Sequence, residues 1–92
     1  MDKNLNVIFD KLINDEISIE ILKFCRFERP TNHIMEHIYH LGLLGKEKNK
    51  VMMELSKRLR ELEDLNALEF INSSKSWNTT KIGEKVLNKY FT

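Results

Sequence analysis

The stretch from Lys46 to Phe70, KEKNKVMMELSKRLRELEDLNALEF, limits the possible folds more than any other part of the chain. At about 100° per residue, Val51, Leu55, Leu59 and Leu62 fall within one narrow apolar arc, and Lys50, Met53, Lys57 and Arg60 fall on the opposite side. The pattern predicts one long amphipathic helix with a basic outer stripe. Its leucine face needs other elements to cover it.

The charge order along this helix is unusual. Positions 46–60 hold Lys46, Lys48, Lys50, Lys57, Arg58 and Arg60 against Glu47 and Glu54, whereas 61–69 hold Glu61, Glu63, Asp64 and Glu69 with no cation. The helix macrodipole favours the reverse, acids first and bases last, by roughly 0.3–1 kcal/mol per charge. A rule broken repeatedly in one element points to a partner that wants positive charge at the helix N-terminus, and a polyanion is the obvious candidate. The competing reading is a solvated face with i,i+4 pairs such as Glu54 with Arg58. It accounts for Arg58 but not for the reversed order.

Ninety-two residues suit one small domain with a single core, so 1–92 is read as one unit. The hydrophobic fraction of 41% and charged fraction of 32% are those of a globular chain, and the apolar runs are too short to span a bilayer, so no membrane partner is expected. Met1 to Asn6 is polar and no small-residue cleavage site follows an apolar core, which argues against a signal peptide. Cys25 is the lone cysteine, which excludes an internal disulfide framework and suits a reducing, cytoplasmic setting. The net charge of +1 does not announce a nucleic-acid binder. Its distribution says more: the first part of the chain is acidic, with Asp2, Asp10, Asp15, Glu16 and Glu20 against Lys3 and Lys11, while 46–60 is strongly basic.

Along the chain, Leu5, Ile8, Phe9, Leu12 and Ile13 predict a first helix over 4–14 with apolar residues on more than one face. Asn14-Asp15 reads as a break and an N-cap, followed by a second helix over 16–27 with Ile17, Ile21, Phe24 and Cys25 on one side. Cys25 is read as a small buried hydrophobe, with a redox sensor or an intermolecular disulfide as the alternative. Pro30 ends that helix by forcing Arg29 out of the α region, and Thr31 or Asn32 is placed to cap the next, over 33–41, whose core face is Ile34, Ile38 and Leu41. Gly42 fits the left-handed position past its end, and Asn66 the equivalent position after the long helix. Leu68, Phe70 and Ile71 then predict a strand within 67–72, Ser73 to Ser76 a polar turn, and Trp77 to Thr79 a returning strand. Thr80 caps a last helix over 81–91. The expected fold class is mainly α with a small β-hairpin, an α+β fold.

On the last helix Ile82, Val86 and Tyr90 make one apolar row, while Leu87 and Phe91 point away from it. Leu5, Phe9, Leu87 and Phe91 are therefore candidates for a homodimer interface; the alternative is that the first and last helices pack together within one chain. His33, His37 and His40 recur at i, i+4 and i+7 on one stripe. Two imidazoles so spaced suit one metal, but no Cys or carboxylate pattern completes a site, so a polar face is preferred and no metal is expected. With no glycine-rich phosphate loop, nucleophile elbow or paired acids on an evident cleft, no catalytic residue, cofactor or enzymatic activity is expected.

Two stretches carry a resemblance to the winged helix-turn-helix domains of bacterial, archaeal and archaeal-viral transcription regulators. LSKRLRELEDLNALEFI resembles the end of that family's recognition helix running into the first wing strand, with Leu55, Leu59 and Leu62 on the core and a small residue capping the helix. WNTTKIGEKVL resembles its wing-to-helix signature: an aromatic residue on the returning strand, a capping Thr and a Gly three positions later, here Trp77, Thr80 and Gly83. Asn66 stands where the family usually carries glycine, and Gly42 to Lys50 exceeds a tight turn.

The resemblance implies a winged helix-turn-helix with added N- and C-terminal helices: helix-turn-helix at about 31–65, wing at about 67–80, C-terminal helix at about 81–91. It implies a sequence-specific double-stranded DNA-binding transcriptional regulator, acting as a dimer in the cytoplasm of a prokaryotic or virus-infected host cell. Lys46, Lys48, Asn49, Lys50, Met53, Lys57 and Arg60 would then line the DNA-facing side of the long helix, and Lys75 the wing tip. The alternative is a winged-helix protein–protein interaction module in a larger assembly. No residue pattern names a small-molecule effector.

Overall fold

The computed structural model describes residues 2–91, with side chains from Leu5 to Lys89. Among these residues the chain forms α1 (Asp2–Leu12), α2 (Glu16–Phe24), β1 (Arg29–Pro30), α3 (Thr31–Leu41), α4 (Lys48–Asp64), β2 (Leu68–Ile71), β3 (Ser76–Thr79) and α5 (Lys81–Phe91). The three strands make one antiparallel sheet in the order β1-β3-β2. This is the α+β class expected: predominantly helical, with a small hairpin and extra terminal helices, a shape compatible with the winged-helix arrangement. No helix among the described residues is long and apolar enough to cross a membrane.

Local chemistry sets most of the boundaries. Asp15 caps α2, its carboxylate accepting from the backbone N–H of Ser18 at 3.2 Å and from the Ser18 hydroxyl at 2.8 Å. Gly42 closes α3 in the left-handed region at φ 72°. Asn66, at φ 62°, does the same after α4: its N–H donates to Glu63 O and the N–H of Ala67 reaches back to Leu62 O, which satisfies the last carbonyls of the helix. That turn sends the chain straight into β2.

The first helix spans Asp2–Leu12, not 4–14, the third begins at Thr31, not at 33, and two further departures have a cause elsewhere in the fold. The second helix stops at Phe24, not Phe27, because the chain is needed as a strand: Arg29 pairs with Trp77 and Pro30 with Ser76. Pro30 lacks an N–H and is tolerated because β1 lies at the sheet edge. Nor does Thr31 cap α3. Pro30 takes the cap position, without a side-chain bond, and the Thr31 hydroxyl accepts from the Trp77 indole at 3.0 Å.

The core draws on every helix: Ile8 and Leu12 of α1, Ile19, Ile21 and Leu22 of α2, Ile34 and Ile38 of α3, the four apolar residues of α4, and Val86 and Leu87 of α5. β3 is stitched to the end of α2. The Thr79 hydroxyl donates to Leu22 O at 2.6 Å, its N–H to Cys25 O at 2.8 Å, and the Asn78 amide also reaches Cys25 O. Thr80 then joins three elements at once. Its hydroxyl donates to Asn66 O at 2.6 Å and accepts from the N–H of Gly83 at 3.0 Å, so the α4–β2 turn and the first turn of α5 share one side chain.

Gly83 explains why that first turn fits so closely. A Cβ there would overlap the carbonyl oxygen of Ala67 and the methyl group of Thr79. Helix propensity alone favours Ala over Gly by about 1 kcal/mol. Overpacking against backbone costs about 1–3 kcal/mol and wins. Gly83→Ala should therefore lower the denaturant midpoint, whereas a midpoint at or above that of the parent would show that α5 does not sit this close to Ala67.

Candidate nucleic-acid interface

α4 is fixed to the body of the domain by Val51, Leu55, Leu59 and Leu62, each buried, and this orients its other side outward. Lys50, Met53, Lys57 and Arg60 are all exposed, Met53 at 74%. The helix begins at Lys48, so Lys46 lies on the preceding connection while Lys48, Asn49 and Lys50 form the first turn. Glu47 stands at the N-cap but makes no side-chain capping bond. The first-turn N–H groups therefore face outward without a carboxylate of their own, and three lysines lie beside them. That is the local chemistry of an anion site, the positive end of the macrodipole reinforced by cations.

The connection that resists a tight turn now has a shape. It runs from Gly42 to Glu47 between α3 and α4, with Gly42 and Gly45 both in the left-handed region at φ 72° and 88°. Lys48 is steadied against α3, its ammonium 5.3 Å from the centre of the Tyr39 ring.

Arg58 belongs to a different task. Its guanidinium lies 3.4 Å from both Asp15 and Glu54 and is largely buried between them, tying the middle of α4 to the N-cap of α2. Among the described residues it is the only cation of 46–60 in an ion pair, and Lys46, Lys48, Lys50, Lys57 and Arg60 have none. The expected Glu54–Arg58 pair is thus present, and it leaves the remaining charges outward.

At the other candidate contact, Lys75 closes the hairpin turn with φ 54° and is exposed. The hairpin base is anchored by Trp77, whose ring lies 5.0 Å from that of its cross-strand partner Phe70. Next to Lys75, the Ser74 hydroxyl donates to Glu28 at 2.8 Å, so a carboxylate from the α2–β1 loop holds the wing tip. Sequence reading missed Glu28, since nothing local marks a contact across 46 positions.

Of the residues expected at a dimer interface, three have described side chains. Leu87 is fully buried in the chain's own core, and Leu5 and Phe9 pack half-buried against it. The cause is that α5 meets α1 within one chain: Lys89 donates to Asn6 at 2.7 Å, and its ammonium lies 4.7 Å from the Phe9 ring centre. The Phe91 side chain lies outside the described residues. Val86 and Leu87, one from each apolar row of the last helix, are thus covered from within.

The histidines are dispersed. His37 stacks on Phe24 at 4.1 Å and lies 4.0 Å from Glu20, His40 lies 3.5 Å from Glu36, and His33 is exposed. Cys25 is buried, and burial pushes its thiol up to about 12 against the opposing pull of Arg29, so the thiolate needed for redox chemistry is scarce at neutral pH.

Comparison with protein-family models, with characterised proteins and with solved structures finds no match. Fold and surface alone thus define the class: a small helix-rich domain with a wing-like β-hairpin, compatible with a DNA- or protein-binding module.

The Asp15 junction that braces α4 titrates. Partial burial alone would raise the Asp15 pKa, but the Ser18 hydroxyl and N–H together with the Arg58 guanidinium outweigh it and hold the carboxyl below its ordinary value of 3.8. Since the folded value is depressed, the junction contributes its full stability above the unfolded value and loses it as pH falls through the folded one. Asp15→Asn keeps a good N-cap, so near pH 7 the cost should be only about 1 kcal/mol or less. Denaturant melts in the acid range should show the parent losing stability more steeply than Asp15→Asn, and parallel curves would exclude the junction as a source of acid sensitivity.

Proposed function

We propose that this domain is a sequence-specific double-stranded DNA-binding transcriptional regulator that places the N-terminal half of α4 in the major groove. The observation that supports it most is that Lys48, Lys50, Lys57 and Arg60 are in no ion pair among the described residues, on a helix whose opposite face is locked into the core, with Lys46 on the connection just before it. Lysines on this face meet phosphates or guanine edges, Asn49 has the donor and acceptor that match adenine, and Met53 offers an apolar contact to a thymine methyl. Lys75, on a hairpin braced by Glu28, adds a contact to the backbone. Two copies acting as a dimer would place two such helices in successive grooves, and regulation would follow from occupancy of the site.

The rival reading is a protein-interaction module that uses the same fold. Salt separates the two, because each phosphate neutralised contributes about −0.9 to the slope of log affinity against log salt. Mobility shifts with duplex DNA should show a steep negative slope, made shallower by about one for Lys50→Ala and for Lys57→Ala. Selection from random duplexes should return a common sequence. A chain that ignores duplex DNA even at low salt belongs to the interaction class.

A further inference from the structure

We propose that the acidic end of α4 and the apolar groove beside it dock the basic end of α4 from a second copy of this chain, a head-to-tail contact. It rests on the functional reading above in one respect: DNA and the second copy would use the same basic face, so duplex would displace the contact.

The groove lies where α1, the end of α4 and the start of α5 meet. It is a hollow of about 240 Å³ lined by Val7, Ile8, Asp64, Leu65, Asn66 and Ile82, with Val7 left 53% exposed. Two adjoining hollows share Asp64 and Leu65, or Asn66 and Ile82, with it and bring Glu61, Glu63 and Glu69 to the rim; Lys11 and Lys81 stand at their edges. Among the described residues, none of the carboxylates of Glu61, Glu63, Asp64 and Glu69 is in an ion pair. An apolar floor is thus rimmed by carboxylates held in no ion pair among the described residues, with Lys11 and Lys81 at the edges.

The basic end of the same helix is its complement. Met53 is an apolar knob at 74% exposure, and Lys50, Lys57 and Arg60 share its face. Methionine is the side chain best able to adapt to an irregular hollow. Along α4, Lys50 stands about 21 Å from Asp64, beyond the screening length of about 8 Å at physiological salt, whereas Lys57 and Arg60 adjoin Glu61 and Asp64 and line one hollow with them. The overall charge of +1 sets up little repulsion between copies. Bringing one helix's C-terminus to another's N-terminus also pairs the macrodipoles favourably, the arrangement α4's own charges deny it. Because donor and acceptor surfaces differ, the contact is heterologous and leaves a free end at each step.

Sedimentation of the full chain tests this. At about 0.1 M salt the mass should rise with concentration past two copies, and at about 1 M salt it should fall to one. The double variant Glu63→Lys with Asp64→Lys, and separately Lys50→Glu with Lys57→Glu, should each lose the salt-sensitive growth. Glu63→Lys, Asp64→Lys and Lys50→Glu follow the macrodipole preference and Lys57→Glu lies mid-helix on the exposed face, so circular dichroism should show α4 intact in each. Mixed in equal amounts, the two variants should form a one-to-one pair, since each retains the surface the other lacks. A parent chain with no salt-sensitive association, or a mixture that stays unpaired, overturns the proposal. The acid-end variant should still bind duplex DNA. If it and the parent both ignore duplex while the mixture pairs, the DNA reading fails and the head-to-tail contact stands.

Discussion

The turn at Asn66 and Ala67 is the joint on which the arrangement depends. The end of α4, the start of β2 and the first turn of α5 all converge there, through Ala67 N–H on Leu62 O, Thr80 N–H on Ala67 O, and the Thr80 hydroxyl on Asn66 O. The backbone of Asn66 must be left-handed for these bonds to form together, which costs a non-glycine residue roughly 1–2 kcal/mol, least for Asn. The bonds offset that cost because they satisfy groups that a helix end otherwise leaves open. The consequence is mechanical. The angle between the basic helix and the hairpin is set by a turn with no slack, and the close seat of Gly83 on Ala67 keeps α5 from relaxing it.

Much of this was legible in the chain because the relevant signals are local. Val51, Leu55, Leu59 and Leu62 announce a helix and its buried face by spacing alone, and Asn66, Thr80 and Gly42 sit where backbone chemistry wants them. What failed to show is what depends on distant residues. β1 is two residues long, too short for any periodicity to reveal, and exists because β3 offers it an edge. Thr31 was eligible as a cap on local grounds, yet Trp77, 46 positions away, claims its hydroxyl. Leu87 is instructive in a different manner. A helical wheel reports how many sides of α5 are apolar, but not what covers Leu87, and α5 packs on both α1 and α2. For the candidate site, the basic stripe and Lys75 were readable, whereas the Glu28–Ser74 brace and the binding of Arg58 to Asp15 were not.

The pairing of Arg58 bears on what the other cations are for. α4 carries five cations and has enough carboxylates, in Glu54, Glu61 and Asp64, to pair several of them at i,i+4 spacing for about 0.2–0.5 kcal/mol each. Glu54 and Asp15 instead both serve Arg58, whose guanidinium is the one held close to the core. The division is between a cation whose ion pair joins α4 to α2 and cations that form no ion pair among the described residues. Only the second group is free to change partner.

Such a helix is less stable alone than its composition allows. With no acid in its first turn and no base in its last, it forgoes the macrodipole terms at both ends, and it has no side-chain cap at Glu47. Burial supplies the difference: fully burying a leucine-sized side chain is worth roughly 1.5–3 kcal/mol, so the four core residues of α4 outweigh several lost surface terms of well under 1 kcal/mol each. The helix can therefore carry an unfavourable charge order because its fold is decided on the opposite face. This separation lets one side of α4 be chosen for packing and the other for what it meets outside, so the outer face can run from basic at Lys48 to acidic at Asp64 without unsettling the fold.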